Sequence, residues 1–179
     1  MSKPPHWIFF QKFFSVGQIS VQAKCFREQG SAQITLAMTL KYAAWMHGNA
    51  IRHSNNWNTT YTETSAVLRL GSGSRTGVVH LPVPAPVIID DRRLRFMSVL
   101  LRYRSRGGAT VTGLSVYDGE RCVTSACLSH QAANYDCIRV EVKDQPQVLW
   151  GPSLTVRIDF GNNSDAAVEI VSAGIDFRW

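Results

Sequence analysis

Apolar and polar residues alternate with a period of two through the C-terminal part of the chain. In the runs 138–142, 154–160 and 171–179 every second residue is apolar, and the residues between are polar, charged or glycine. Successive side chains of a β-strand point to opposite faces, so each run predicts a strand with one buried and one solvated face. Strands of this kind are typical of antiparallel sheets.

Shorter apolar runs extend the same pattern back to Tyr42. They lie at 42–46, 66–70, 78–81, 96–104 and 110–117. Turn-forming residues separate them, and the Asp118-Gly119 pair favours a tight hairpin. The organised part of the chain shows no clean helical stripe. The pattern therefore predicts an all-β fold, a two-sheet antiparallel β-sandwich with jelly-roll-like connections.

The last two runs are predicted to pair with each other as a hairpin. The turn formers Gly161–Asp165 separate the run 154–160 from the run 168–179. A change of parity between Ile170 and Val171 predicts a bulge there. The side chains expected to face the core between the sheets are Val156, Ile158, Ile175 and Phe177.

Residues 1–37 do not share this pattern and are predicted to be a poorly ordered N-terminal extension of a domain spanning 38–179. A misassigned start, with translation beginning at Met38, is equally consistent with the change. The apolar cluster Trp7–Phe14 leaves two alternatives open. One is a signal peptide cleaved near Val21–Ala23 and the other is an amphipathic helix on a membrane surface. A signal peptide implies secretion; otherwise we expect a cytoplasmic protein.

Composition narrows the class of protein. The 179 residues are 45% hydrophobic and 18% charged, which excludes disorder for most of the chain and allows a core without disulfides or metals. The chain lacks any apolar stretch long enough to span a membrane. The net charge of +6 is modest, whereas nucleic-acid binders usually carry a larger and clustered excess. We expect a soluble domain without a strong nucleic-acid signal.

Prolines alternate through the segment His80–Ile88, followed by Asp90–Arg92. Such a segment is extended and cannot pair on both sides, so it is predicted to lie at a sheet edge or to connect the two sheets rigidly. Docking of a partner is the alternative. Together with Val116–Gly119 and Trp150-Gly151, this order of motifs resembles an uncharacterised family of small bacterial β-sandwich proteins. The resemblance runs from about Tyr42 to Phe160; it implies a fold and a bacterial source, and no activity.

The cysteines are Cys25, Cys122, Cys127 and Cys137. The last three, with His130, have the donor types of a zinc site, but their spacing matches no common zinc pattern. We expect free thiols, with a hairpin disulfide as the alternative, and neither a metal nor a cofactor.

Two further motifs suggest catalysis only superficially. The glycine-rich segment 71–77 lacks the lysine of a phosphate-binding loop and precedes a strand, so we interpret it as a flexible hairpin loop. His80, Asp90 or Asp91 and a nearby serine could form a hydrolase triad, but the sequence has no Gly-x-Ser-x-Gly nucleophile elbow. No catalytic residue is predicted.

Three arginines, Arg102, Arg104 and Arg106, share one face of a predicted strand. A bound polyanion is one explanation. The other is a solvated strand end whose charges discourage edge pairing.

Aromatic residues beside amide side chains form the remaining candidate site. Trp45, Trp57, Tyr61 and Trp150 are predicted to lie at strand ends or loops, and Asn55, Asn56 and Asn58 are nearby in the sequence. Exposed aromatic rings with amides suit sugar recognition, in which rings stack and amides form hydrogen bonds. The candidate ligand-binding residues are Trp45, His47, Trp57, His80, Tyr117, Asp118 and Trp150.

The sequence favours a non-catalytic binding or interaction module. Its ligand is an unknown protein, or another copy of the chain bound through sheet edges and the proline segment. The first alternative is a carbohydrate-binding module that uses exposed Trp, Tyr and Asn side chains. A hydrolase with an unrecognised site is the least supported alternative. Solvent exposure of the tryptophans separates the first two hypotheses.

Overall fold

The computed structural model describes residues 40–179, which fold almost entirely into β-strands. In chain order the strands are β1 (Tyr42–His47), β2 (Asn58–Tyr61), β3 (Ala66–Arg69), β4 (Thr76–Pro82), β5 (Ile88–Ile89), β6 (Arg92–Arg93), β7 (Arg95–Arg106), β8 (Thr110–Asp118), β9 (Arg121–His130), β10 (Asp136–Glu141), β11 (Pro152–Asp159) and β12 (Ala167–Arg178). A single 3-10 turn, Gly48–Ala50, follows β1.

The strands form two antiparallel sheets, as the alternation predicts. The larger has six strands in the order β10-β7-β12-β3-β2, with β1 also paired to β12. One edge of β12 pairs with β7, and its other edge pairs first with β3 and then with β1. The smaller sheet has the order β4-β11-β8-β9, and β5 pairs with β6 as a separate ribbon. The prediction of an all-β, two-sheet antiparallel sandwich is confirmed.

The core lies between the inner faces of the two sheets. Val156 and Ile158 of β11, with Ile175 and Phe177 of β12, have no solvent exposure. Antiparallel strands that bury one face contribute alternate residues to such a core. The predicted face assignment of both runs is therefore correct.

The predicted C-terminal hairpin is wrong. β11 pairs with β4 and β8 in the four-stranded sheet, whereas β12 belongs to the six-stranded sheet. Gly161–Asp165 thus joins one sheet to the other. The glycine-rich segment likewise connects β3 to β4 in opposite sheets and does not close a hairpin. Turn-forming residues reverse the chain equally well in both situations, so partners distant in sequence decide the pairing.

Other predictions of local geometry are confirmed. The register between β12 and β7 shifts between Ile170 and Ser172, where the parity change predicts a bulge. β8 and β9 form the expected hairpin, with Asp118 opposite Arg121. Gly119 follows with a φ of +61°, a left-handed conformation that glycine adopts without steric cost.

The predictions for the proline segment and for the arginine row can both be compared with the structure. β4, which ends at Pro82, is the last strand in the order of the smaller sheet, so the segment begins at a sheet edge as predicted, and residues 83–87 continue outside any strand. The arginine row lies at the C-terminal end of β7, where Arg102 and Arg106 are exposed, as a solvated strand end would be. Arg102 pairs with Cys137 of β10, so at that residue there is no free edge to protect.

The N-terminal segment 1–37 and Cys25 lie outside the described residues, and their predictions stay predictions. Within residues 40–179, no helix is long and apolar enough to cross a membrane.

Candidate functional site

The outer face of the four-stranded sheet carries a shallow groove of about 430 Å³. Its floor consists of outward-facing residues from neighbouring strands held in register. One row of four polar residues runs across the sheet: His80, Thr155, Ser115 and Ser125. The next row pairs Ser153 with Tyr117, and the row on the other side pairs Val78 with Arg157.

The alternation of β11 fixes which residues face this groove. Because Leu154, Val156 and Ile158 are fully buried between the sheets, Thr155 and Arg157 must point to the opposite face. On the neighbouring strands Ser115 and Ser125 are small and polar, so they leave the centre of the groove open. The groove is thus a direct consequence of apolar-in, polar-out patterning.

The groove offers several kinds of polar contact. The Oγ atoms of Ser115 and Ser125 lie 2.9 Å apart, and hydroxyl groups both donate and accept hydrogen bonds. The side chains of His80 and Arg157 have no hydrogen-bond or ion-pair partner in residues 40–179. These two groups are therefore available to a ligand.

Trp150 stands at one end of the groove and is the most exposed large apolar residue of the described chain, with 73% of its surface accessible. Its side chain packs against Gly119, where an added Cβ would lie 3.3 Å from the Cβ and Cδ1 of Trp150. Gly119 lines the groove two residues after Tyr117. An exposed indole and a phenol ring thus lie near the same end of the groove.

The carboxylate of Asp118 fixes the loop that carries Trp150. Its Oδ1 accepts hydrogen bonds from the backbone N–H groups of Trp150 (2.8 Å) and Gly151 (2.9 Å), and its Oδ2 accepts one from the N–H of Leu149 (2.8 Å). Arg121 Nη2 lies 3.2 Å from Oδ2. Burial alone would raise the pKa of Asp118, but the three N–H groups and Arg121 outweigh it and hold the pKa below its usual range.

The predicted ligand-binding residues fall into separate groups. His80 and Tyr117 line the groove, and Trp150 packs against Gly119, which also lines it. Trp45 and His47 belong to β1 in the six-stranded sheet, where Trp45 is 45% exposed. The structure therefore places one exposed tryptophan, Trp45, on the six-stranded sheet and another, Trp150, in the loop before β11.

Two of the predicted residues are buried, which corrects the expectation that they are exposed. Trp57 is 6% exposed; its indole N–H donates to the Ser74 carbonyl oxygen at 2.6 Å, and its ring meets Phe160 edge-on. Asp118 has no exposed surface, so it positions Trp150 and does not contact a ligand. Trp150 and Trp45 are thus exposed as expected, and Trp57 is not.

Sequence reasoning missed the hydroxyl floor of the groove. Ser115, Ser125, Ser153, Thr155 and Arg157 are ordinary outward-facing residues of separate strands. In the sequence these residues occupy the polar positions of the alternating pattern, which identifies them only as surface residues. Only the strand order places them on one surface.

A second polar cluster lies at the end of β9. The hydroxyl of Tyr103 contacts His130 Nδ1 at 2.5 Å, and His130 Nε2 lies 3.5 Å from the Asp136 carboxylate. Burial, with the charge of Asp136 as the second cause, raises the pKa of Tyr103 to about 12. The phenol therefore stays protonated at neutral pH and serves as a buried hydrogen-bonding group.

The three described cysteines, Cys122, Cys127 and Cys137, are free and exposed. Among residues 40–179, no group of three or more His, Cys, Asp or Glu side chains is placed to hold a metal ion. Asp90 and Asp91 lie in the turn between β5 and β6, where both have positive φ angles.

Comparison with known proteins gives a family and a set of structural likenesses. Residues 39–178 match the model of a family of unknown function (DUF6623), so the chain belongs to that family. This agrees with the resemblance to an uncharacterised family; the bacterial source stays a prediction. No curated protein matches the chain.

Two solved structures similar to the chain are carbohydrate-binding modules. One is a low-affinity xylan binding module, CBM86, from Roseburia intestinalis, with 13% identity, a TM-score of 0.49, and coverage of 77% of this chain and 97% of that one. The other is a family 29 module from Piromyces equi, with 12% identity, a TM-score of 0.45, and coverage of 75% and 90%.

Proposed function

We propose that this member of the DUF6623 family is a non-catalytic carbohydrate-binding module whose site is the groove on the four-stranded sheet. The observation that carries the proposal is the combination of two aromatic rings, an exposed indole and a half-buried phenol, with a floor of hydroxyl groups. Tyr117 lines the groove, and Trp150 stands beside it. A sugar presents C–H groups on its faces and hydroxyl groups around its rim, and this surface complements both features.

The polar residues of the groove account for the rim contacts. Ser115, Ser153 and Thr155 offer hydroxyl groups that can donate or accept, matching the dual character of sugar hydroxyls. Arg157 supplies only donors, and His80 supplies a ring nitrogen of either kind. Small-molecule sites commonly combine apolar surface with a few placed polar groups.

The groove is open and shallow, which favours a chain over a small enclosed ligand. Its outward-facing rows cross several strands, so neighbouring sugar units would meet different rows. No interaction depends on a single buried pocket. We therefore expect binding to an oligosaccharide to be stronger than binding to its monosaccharide units.

The proposal is tested on the full chain with a glycan array, followed by calorimetric titration of the glycan that binds best. Tyr117→Ala and Trp150→Ala should each weaken binding by about tenfold, the effect of losing one stacking contact. Arg157→Ala should weaken binding without changing the unfolding midpoint.

Trp45→Ala is the matched control, because Trp45 is an exposed tryptophan on the other sheet. It should leave the affinity unchanged. A larger loss for Trp45→Ala than for Trp150→Ala would move the site to the six-stranded sheet. The absence of any bound glycan across the array would remove the proposal.

Self-association through a sheet edge is a second candidate, favoured by β9. This ten-residue strand ends the order of the smaller sheet, and several of its side chains are exposed. An edge strand presents backbone groups that pair readily with another strand. Sedimentation over a concentration series tests it: a single monomeric species throughout would exclude pairing, and a reversible dimer would support it.

A further inference from the structure

A small pit on the outer face of the six-stranded sheet is flanked by two arginines. In the register of the sheet, Ala167 of β12 lies opposite Arg106 of β7 on one side and Arg69 of β3 on the other. Neighbouring strands are about 4.8 Å apart, so the two arginine Cα atoms are separated by roughly 10 Å. The methyl group of Ala167 leaves a cavity of about 170 Å³ between them.

Glu169 and Arg104 also line this cavity. The carboxylate of Glu169 does not neutralise Arg69 and Arg106, because it is already bound by other groups. Glu169 accepts hydrogen bonds from the hydroxyl groups of Ser65 and Tyr135 at 2.7 Å each, and from Arg104 at 2.5 Å. Burial alone would raise the pKa of Glu169, but these three donors outweigh it and hold the pKa below its usual range. Glu169 is thus a charged, saturated acceptor.

The guanidinium of Arg104 is likewise already engaged in contacts with neighbouring side chains. Its Nε and Nη2 both contact Glu169, and its guanidinium lies 4.4 Å from the centre of the Tyr135 ring. In contrast, neither Arg69 nor Arg106 has a side-chain hydrogen bond or ion pair within residues 40–179. Two uncommitted positive charges therefore face one cavity, and like charges at this separation repel each other.

We propose that this arginine pit (Arg69, Ala167 and Arg106) binds a small oxoanion, the sulfate, phosphate or carboxylate group of an acidic ligand. A guanidinium presents forked N–H donors that match the oxygens of such groups, and two of them can hold one anion from opposite sides. The cavity has room for several water molecules or one group of this size. The inference does not depend on the groove, which lies on the other sheet.

The test titrates the full chain with sodium sulfate, sodium phosphate and sodium acetate at constant ionic strength, observed by NMR of backbone and arginine side-chain N–H groups. At least one anion should give saturable shifts centred on Arg69, Ala167 and Arg106. Preference for the tetrahedral anions over acetate would identify a sulfate or phosphate ligand, and the reverse preference would identify a carboxylate. Non-saturating shifts with all three anions would overturn the proposal.

Substitutions separate a built site from general attraction to a positively charged protein. Arg69→Gln and Arg106→Gln should each weaken binding by at least about tenfold, because each removes one of the two forked contacts. Arg92→Gln, which replaces an exposed arginine of the separate β5-β6 ribbon, is the matched control and should leave binding unchanged. Equal losses in all three variants would show that only net charge matters, and the site would be rejected.

A substitution at the centre of the pit gives an independent measurement. Ala167→Glu places a carboxylate between the two arginines, so it should abolish anion binding and raise the thermal unfolding midpoint. Ala167→Gln fills the same space without charge and should block binding without that rise. A lower midpoint for the Glu variant than for the Gln variant would contradict the charge argument. If neither variant folds, the arginine variants decide.

Discussion

The carboxylate of Asp118 should stabilise the loop that carries Trp150, and replacement of Asp118 by Asn tests this directly. The change keeps the size of the side chain but exchanges one acceptor oxygen for a donor NH₂ group. Each carboxylate oxygen of Asp118 accepts two hydrogen bonds. An amide can satisfy only one of these pairs, and its NH₂ group then faces two donors.

The magnitude follows from the contacts that are lost. A hydrogen bond to a charged group contributes about 1.5–3 kcal/mol, and an unpaired buried donor adds a desolvation cost. Arg121 is largely exposed, so its contribution is small. We therefore expect Asp118→Asn to lower the free energy of unfolding by about 2–3 kcal/mol, and Asp118→Ala, which loses all three backbone contacts, by about 3–5 kcal/mol.

The pH dependence gives a second signal. Because folding lowers the pKa of Asp118, its stabilising effect is fully present above the unfolded pKa of about 3.9 and is lost as the pH falls through the folded pKa. The difference between the wild type and Asp118→Asn should therefore be constant from neutral pH down to about pH 5 and shrink at lower pH.

Urea denaturation at a series of pH values measures both effects. Glu120→Gln is the matched control, because this exposed neighbour has no hydrogen-bond or ion-pair partner within residues 40–179. It should change stability by no more than about 0.5 kcal/mol. If Asp118→Asn costs no more than Glu120→Gln, the three backbone contacts contribute nothing and the argument fails.

Three further predictions test the fold. Replacing the fully buried Ile158 by Ala should cost about 2–5 kcal/mol, whereas replacing the outward-facing Arg157 by Ala should cost no more than about 0.5 kcal/mol; equal shifts of the urea midpoint would invert the face assignment. Gly48→Ala should strongly lower the thermal midpoint, because an added Cβ would lie 1.9 Å from the Ile170 carbonyl oxygen; an unchanged midpoint would show that the turn shifts easily. Tyr103→Phe removes a buried hydroxyl that meets an imidazole at 2.5 Å and should cost about 1–2 kcal/mol by urea denaturation; no cost would mean that this hydrogen bond adds no net stability.

The candidate site was only partly predictable from the sequence. His80, Tyr117 and Trp150 were identified because rings and imidazoles near turns are conspicuous. Trp57 was identified by the same criterion and is buried, because its indole N–H finds the Ser74 carbonyl oxygen inside the fold. Residue type indicates what a side chain can do, whereas exposure depends on the chain segments that pack over it.

Asp118 illustrates the same limit at a turn. Its position before Gly119 correctly predicts the hairpin, because Asp-Gly pairs favour tight turns. Its three backbone contacts come from residues about 30 positions later in the chain. No local pattern indicates a contact of that sequence separation, so its role as the support of Trp150 emerges only in the folded chain.

The sequence by itself determined most of the strands and the buried face of the alternating ones, because the two-residue period of a strand depends only on neighbouring positions. It placed Ile158 and Phe177 in the core and the parity change at Ile170, and the structure agrees. The tertiary structure alone decided which strands are neighbours. β11 and β12, adjacent in sequence, lie in opposite sheets. The hydroxyl floor of the groove and the pit between Arg69 and Arg106 both depend on which strands are neighbours. Backbone hydrogen bonds between strands form equally well at any sequence separation, so the packing of the whole core selects the partners.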